Sequence, residues 1–354
     1  MGLFKELGNS ESLFVNELAL DYSFVPKLLP YRENETKHIA TTIKPLLQKR
    51  NGRNLFIHGA PGIGKTVAVK HVFQELEDET DDVVPVYINC WQHNTTFKIF
   101  LHMCDELGYK FTQNKKTEDL FTILKGMLNK RSSVLAFDEI DKVEDFDFLY
   151  HLIEEIYRKS IILITNYPEW MAELEDRVRS RLLPETLEFK PYSELETRGI
   201  LKERVSYAFA KDCFDADAFE AIAAKAAELK DIRIGLYLLR EAGLAAEDAS
   251  SRRITLDHSK KAIAKLGEFS VKDKDSLEDE AKAILELVKL NPGKKIGEIY
   301  RIYQEQGGKA VYKTFQRKIA KLEQNKFISA EKIAGGAEGK TTILNAGDKK
   351  ITDF

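Results

Sequence analysis

Gly59, Gly64, Lys65 and Thr66 fill the spacing G-x-x-x-x-G-K-[ST] in the stretch "NLFIHGAPGIGKTVAVKHV", residues 54–72. Residues of these types at this spacing hold phosphate. Glycines let the backbone curl until successive N–H groups point inward at anionic oxygens. A helix opening near Thr66 turns its N-terminal dipole on the same spot. The candidate cradle is Gly59 followed by Pro61, Gly62, Ile63, Gly64, Lys65, Thr66 and Val67. Within it, Lys65 is expected to reach the β- and γ-phosphates and Thr66 to put its hydroxyl on Mg2+.

A second stretch, "SSVLAFDEIDKV" at residues 132–143, supplies acids at the end of an apolar strand. Asp138 at that strand end can hold the water shell of Mg2+. Glu139 follows at once and is the candidate general base for an attacking water. The two motifs together describe a site for a magnesium-bound nucleoside triphosphate. No N-K-x-D-like guanine-reading motif follows, which favours ATP, with ADP as the product.

Elements that would position these residues are legible in the hydrophobic pattern. Strands are expected at 54–58, 83–89, 134–137 and 161–164, with helical patterns between them. Such alternation implies an α/β class, a parallel sheet with helices on both faces. Residues 90–133 hold two helical patterns, near 95–107 and 117–129. The first fifty residues read as a lead-in, extended through "SFVPKLLPYRENE" and then helical over 33–47. From Tyr192 strands largely vanish, and helices are expected near 193–210, 215–228, 231–247 and 256–266. The polar stretch 267–276 reads as a linker. Three amphipathic helices and a hairpin around "GGAEG", residues 335–339, then make a winged helix. The expected domains are a nucleotide-binding core at 1–190, a helical lid at 191–268 and a winged helix at 275–354.

Charge gives the last domain its candidate role. From Lys309 to Lys326 six basic residues face one acid, Glu323, a local net of +5 in a chain whose formal charge is −3. Lys313, Arg317 and Lys321 recur every fourth residue and share a helix face. That suits a helix in a DNA major groove, with Lys340 on the wing as a further phosphate contact. The alternative is a protein-docking module with a solvated lysine face, and Glu331 and Glu338 beside the wing lysines weigh toward it. Three scattered cysteines, Cys90, Cys104 and Cys213, form no C-x-x-C pair and read as buried thiols of a reducing compartment. "MGLFKELGNS" lacks the pattern of a signal peptide, and no apolar run approaches a membrane span. The expectation is therefore a cytoplasmic protein without a membrane partner.

Taken together, the arrangement resembles the AAA+ ATPases, and within them the archaeal replication initiators of the origin-recognition and Cdc type. "DYSFVPKLLPYRENETKHI" is similar to the family's leading segment, and the resemblance implies that Val25, Pro26 and Arg32 lie beside the adenine. "ILITNYPEW" looks like sensor 1, with Asn166 facing the γ-phosphate. "DIRIGLYLLREAG" resembles the sensor 2 helix, which implies Arg233 over the phosphates. Here the chain departs from the family: Lys230 stands where glycine is usual, and Ile234-Gly235 replaces a Lys-Ala-like pair. "DRVRSRL" implies an arginine finger for a neighbouring subunit, Arg181 with Arg177 in support. The two-helix stretch before Asp138 fits the initiators' additional helix, which touches DNA.

The resemblance implies a slow, ATP-switched initiator that binds duplex origin DNA. Its further partners would be the replicative helicase and paralogous initiators or a second copy of itself. Two rivals stand beside it. A Holliday-junction motor or clamp loader would form rings with fast, DNA-stimulated hydrolysis. A regulator of transposition or defence would bind ATP tightly without hydrolysing it.

Overall fold

The computed structural model describes residues 12–275, 279–308, 310–324, 327–333 and 341–346 of the 354. They fall into two compact units that divide at Ile263/Ala264.

The first unit is built on five parallel strands: β1 (Leu55–His58), β2 (Val83–Asn89), β3 (Ser132–Asp138), β4 (Lys159–Thr165) and β5 (Glu185–Glu188). Their spatial order is β2-β3-β4-β1-β5. Every residue of β3 is buried, as a central strand covered on both faces requires. Because side chains alternate across a strand, β1 to β4 each feed two cores. Phe56, Leu135, Phe137, Ile161 and Leu163 pack on one face, with the helices α3 (Thr96–Glu106), α4 (Thr117–Leu128) and α5 (Asp147–Glu155). Leu55, Ile57, Val134, Ala136, Ile162 and Ile164 pack on the other, against α1 (Glu33–Leu47) and α2 (Lys65–Glu79). Each fully buried side chain of this size contributes about 1.5–3 kcal/mol relative to exposure.

Strand β5 was not expected from the pattern. It is an edge strand of alternating half-buried and exposed residues, "ETLE", with no apolar run to announce it. Its pairing to β1, Leu55 opposite Glu185 and Ile57 opposite Leu187, makes it a strand.

After the short helices α6 (Trp170–Glu173) and α7 (Asp176–Leu182), the lid follows as α8 (Glu194–Ala208), α9 (Ala216–Leu229), α10 (Ile232–Asp248) and α11 (Leu256–Asp275). A capping box starts α8: the Glu196 amide donates to Ser193 Oγ at 3.3 Å, and the Ser193 amide donates to Glu196 Oε2 at 2.7 Å. Lys230 ends α9 with φ of 53°, the left-handed conformation in which glycine is the usual residue.

Two expectations about boundaries are corrected. The linker at 267–276 is helical through Asp275, because α11 does not stop at 266. Gly267 inside the helix costs only about 1 kcal/mol relative to alanine. The lead-in, assigned to the core, is split. Residues 12–24 form a strap along the lid instead. The amides of Val15 and Asn16 donate to the Ala208 carbonyl at 2.8 and 3.1 Å. Phe14 meets Phe209 ring to ring at 4.8 Å, and the Leu13 amide donates to Glu247 at 2.8 Å. Arg204, buried in α8, donates to the carbonyls of Ala19 and Phe24 at 3.3 and 3.4 Å.

The second unit contains α12 (Asp279–Leu290), α13 (Ile296–Glu305), α14 (Tyr312–Gln324) and a three-stranded sheet of β6 (Lys294–Lys295), β7 (Ile328–Ile333) and β8 (Thr341–Ala346), in the order β6-β8-β7. Three helices and an antiparallel β7–β8 pair stand where the sequence pattern placed helices and a hairpin. The hairpin tip at 335–339 lies outside the described residues. Ile284, Val288, Ile299, Phe315, Ile319 and Leu344 form its core.

Candidate nucleotide site

The phosphate loop leaves the carboxyl end of β1 and runs into α2. Gly62 and Gly64 have φ of 73° and 91°, which side-chain-bearing residues adopt only under strain. Space forbids a side chain as well. A Cβ on Gly62 would stand 2.0 Å from Asp231 Oδ1, and one on Gly64 2.8 Å from Tyr192 Oη. The turn therefore presents bare backbone to a cleft of about 380 Å³.

Lys65 is buried, and its ammonium donates to the Gly59 and Ala60 carbonyls at 2.7 and 2.8 Å and to Asn166 Oδ1 at 2.8 Å. Burial lowers its pKa to about 8, while Asp138 and Glu139 oppose the shift. Asp138, at the end of β3, is also buried. Its Oδ2 accepts from Thr66 Oγ1 at 2.6 Å and from Tyr87 Oη at 2.7 Å, and its Oδ1 accepts from the Glu139 amide at 2.9 Å. Burial, then the charge of Asp138 beside it, raises the pKa of the Tyr87 phenol, so it stays a donor.

Glu139 sits at φ of 54°, a left-handed position for a non-glycine residue, of the kind that clusters at active sites. Burial, Asp138 and Asp141 raise its carboxyl pKa, against Lys65 and Lys142. That is the direction a general base at neutral pH needs. Asn166, just past β4, donates from Nδ2 to Glu139 Oε2 at 3.3 Å, so one amide joins Lys65 to Glu139.

From the lid, Arg233 lines the same cleft. Its side chain folds back on Asp231: Nη2 lies 2.9 Å from Oδ2 and Nε 3.2 Å from Oδ1. The Asp231 carboxylate also caps α10 through the Arg233 amide at 2.8 Å. The Ile232 amide donates to the Gly62 carbonyl at 3.2 Å, tying the lid helix to the phosphate loop.

The expected residues do not all converge. Pro61 through Val67, Asp138, Glu139, Asn166, Arg233 and Pro26 line the cleft. Gly59 lies beneath, as acceptor for Lys65. Val25 and Arg32 are not among the residues that line it. Arg32 is a buried strut. Its Nη2 donates to the Ile63 and Lys190 carbonyls at 3.0 and 2.6 Å, and its guanidinium stacks 3.9 Å over the Tyr192 ring. A planar fork of donors can bridge two carbonyls, so the arginine is used to brace the loop. Arg181 lies away from the cleft on α7, paired with Glu154, its Nη1 donating to the Arg177 carbonyl at 3.0 Å.

Tyr87 was not anticipated. The signal was a tyrosine inside a strand of small aliphatics, since a buried phenol requires a hydrogen-bond partner. In the second unit Lys313 and Arg317 are exposed on α14, opposite the buried Phe315, Ile319 and Leu322. The Lys321 side chain and Lys340 lie outside the described residues.

The donor set suits the implied groups. Thr66 and Asp138 offer hard oxygen ligands, and one carboxylate completed by substrate phosphates is the usual magnesium arrangement. The bare loop amides and Lys65 suit phosphates, and Pro26, Leu29 and Leu236 give an apolar wall for a base.

A parallel sheet in this order, a phosphate loop after β1, an acid pair after β3, an asparagine after β4 and a lid arginine in the cleft define an AAA+ nucleotide-binding protein. Residues 48–168 match the AAA domain family and residues 198–264 the Cdc6 AAA+ ATPase-type lid domain. The chain is 32% identical to ORC1-type DNA replication protein 1 of Sulfurisphaera tokodaii, across 94% of this chain and 90% of that one. It is 30% identical to ORC1-type DNA replication protein 2 of Methanothermobacter thermautotrophicus, across 95% and 92%. The chain belongs to the ORC1-type DNA replication proteins. Among solved structures it is similar to the Aeropyrum pernix ORC1 protein in complex with DNA, at a TM-score of 0.71 and 26% identity, covering 97% of this chain and 96% of that one. The fold also matches the Aeropyrum pernix ORC2 protein in its ADPNP–ADP complexes, at a TM-score of 0.65 and 18% identity, covering 94% of both chains. Among the described residues no helix is long and apolar enough to cross a membrane.

Proposed function

We propose that this chain is an origin-binding replication initiator whose grip on duplex DNA and on the replicative helicase is switched by ATP. The observation that carries the reading is Arg233. It is a lid residue in the cleft of the core's Lys65 and Asp138, so the triphosphate has contacts on both sides of a hinge. Lys65 exchanges its carbonyl partners for the β- and γ-phosphates, and Arg233 exchanges Asp231 for phosphate. Thr66 and Asp138 would hold Mg2+, which neutralises phosphate charge when bound. Glu139 takes a proton from the attacking water while Asn166 keeps its carboxylate oriented. Arg181, outside its own cleft, would exchange its pairing with Glu154 for the site of a second initiator subunit. Hydrolysis is slow and resets the switch.

The similarity to an ORC1 protein in complex with DNA supports duplex DNA as the partner. The exposed Lys313 and Arg317, with Lys321 and Lys340, are the proposed contacts. Fluorescence anisotropy on origin and random duplexes at several salt concentrations tests this. Lys313→Ala weakens both duplexes alike and shallows the salt slope by about one. Arg317→Ala narrows the gap between origin and random DNA by about 1–3 kcal/mol, because its fork matches a guanine edge. Unchanged affinity and slope in both variants would instead make the second unit a protein-docking module.

A further inference from the structure

Asp138 is held from an unexpected side. Strand β2 lies beside β3 in register, with Tyr87 opposite Ala136 and Asn89 opposite Asp138. Tyr87 reaches along this pair to donate to Asp138 Oδ2 at 2.7 Å, the oxygen that also accepts from Thr66 at 2.6 Å. Two hydroxyls on one carboxylate oxygen occupy both of its in-plane acceptor positions. The Glu139 amide takes one position on Oδ1, at 2.9 Å. One acceptor position remains on the carboxylate, so the rotamer is fixed and its open lone pair has one direction. Tyr87 is itself held. Lys70, one helical turn beyond Thr66 on α2, carries its ammonium 4.4 Å from the Tyr87 ring centroid. Both Tyr87 and Lys70 line the cleft.

We infer that Tyr87 is a positioning residue of the nucleotide site: its phenol fixes Asp138 so that the carboxylate meets the nucleotide-bound cation already oriented. The inference rests on the reading of Thr66 and Asp138 as the magnesium side of the site. The physical reason is preorganisation. Thr66 has a single hydroxyl proton and sits on the phosphate loop, which must accommodate phosphates. Tyr87 sits on the sheet and keeps its bond to Asp138 while the loop adjusts. Partners of this kind are worth about 10–100-fold in metal affinity at characterised sites.

The experiment is titration calorimetry of the full chain with ADP, in excess Mg2+ and in EDTA, for wild type and Tyr87→Phe. The Phe variant keeps the ring under Lys70 and loses only the hydroxyl. The expected result is an unchanged ADP affinity in EDTA and a Mg2+-dependent gain about tenfold smaller than wild type. Lys70→Ala, which leaves the phenol bond in place, retains most of the gain. Equal weakening with and without Mg2+ overturns the inference and makes Tyr87 a packing residue, and so does an unchanged gain. If the Phe variant does not fold, Tyr87→Leu takes its place, since it has no donor at this position and suits a strand between apolar neighbours. A gain below wild type with unchanged EDTA affinity then supports the inference, and an unchanged gain overturns it. A wild-type protein that shows no Mg2+-dependent gain at all refutes the magnesium reading itself, a distinguishable failure.

Discussion

Arg233→Ala separates what the lid arginine does for the fold from what it does for the ligand. In the structure the guanidinium pairs with Asp231 through Nη2 and Nε, and the side chain is half exposed. An ion pair this accessible contributes at most about 1 kcal/mol. For a unit of this size that is a fall in melting temperature of no more than about 2–4 °C without nucleotide. A charge-assisted bond to phosphate is worth about 1.5–3 kcal/mol, from which release of Asp231 must be subtracted. The net, near 1.4 kcal/mol, is about tenfold in affinity for a non-hydrolysable ATP analogue. Calorimetry reads the affinity, and small-angle scattering reads the lid: wild-type curves with ADP and with the analogue differ, and those of the variant coincide. Asp231→Asn provides the complementary perturbation. Asparagine caps a helix as well as aspartate does, so α10 keeps its start while Arg233 loses its competing partner. The analogue then binds more tightly than to wild type. An Arg233→Ala protein with undiminished analogue affinity refutes the reasoning, and so does one whose unliganded melting temperature falls by about 10 °C or more, over twice the bound above.

Glu139→Gln leaves nucleotide binding near normal and lowers phosphate release at least about tenfold, the scale of general-base loss; an unchanged rate removes Glu139 from the mechanism. Arg204→Ala frees the strap of residues 12–24 from the lid, since the buried guanidinium serves the carbonyls of Ala19 and Phe24. At about 2 kcal/mol for buried bonds from a charged donor, the melting temperature falls by about 4–8 °C. Limited proteolysis within the strap quickens with it, and a melting temperature within about 1 °C of wild type would mean that the Phe14–Phe209 contact and the Glu247 bonds suffice.

The phosphate loop and the acid pair were legible because each is a local device. A glycine-lysine-threonine turn between an apolar run and a helix, or two acids at a strand end, is complete within about a dozen residues, and its backbone geometry follows from residue type. The departure at Lys230 was legible in the same way, and its φ of 53° shows why glycine is usual there. The charge on α14 could be counted, and the exposed Lys313 and Arg317 agree with the period that put them on one face. Contacts between distant segments could not be read. Nothing local announces that β2 lies beside β3, yet that adjacency alone brings Tyr87 to Asp138. Arg32 carries no mark of the carbonyls it serves, those of Ile63 and Lys190, and Lys190 is 158 residues away. The strap of residues 12–24 precedes the core in sequence and packs on the lid, because its partners Phe209, Arg204 and Glu247 are there. Sequence alone determined which groups could bind phosphate and metal, since that depends on residue type and short spacing. The tertiary structure decided which groups face one another across the cleft, since a side chain's hydrogen-bond partner is set by strand order and helix packing.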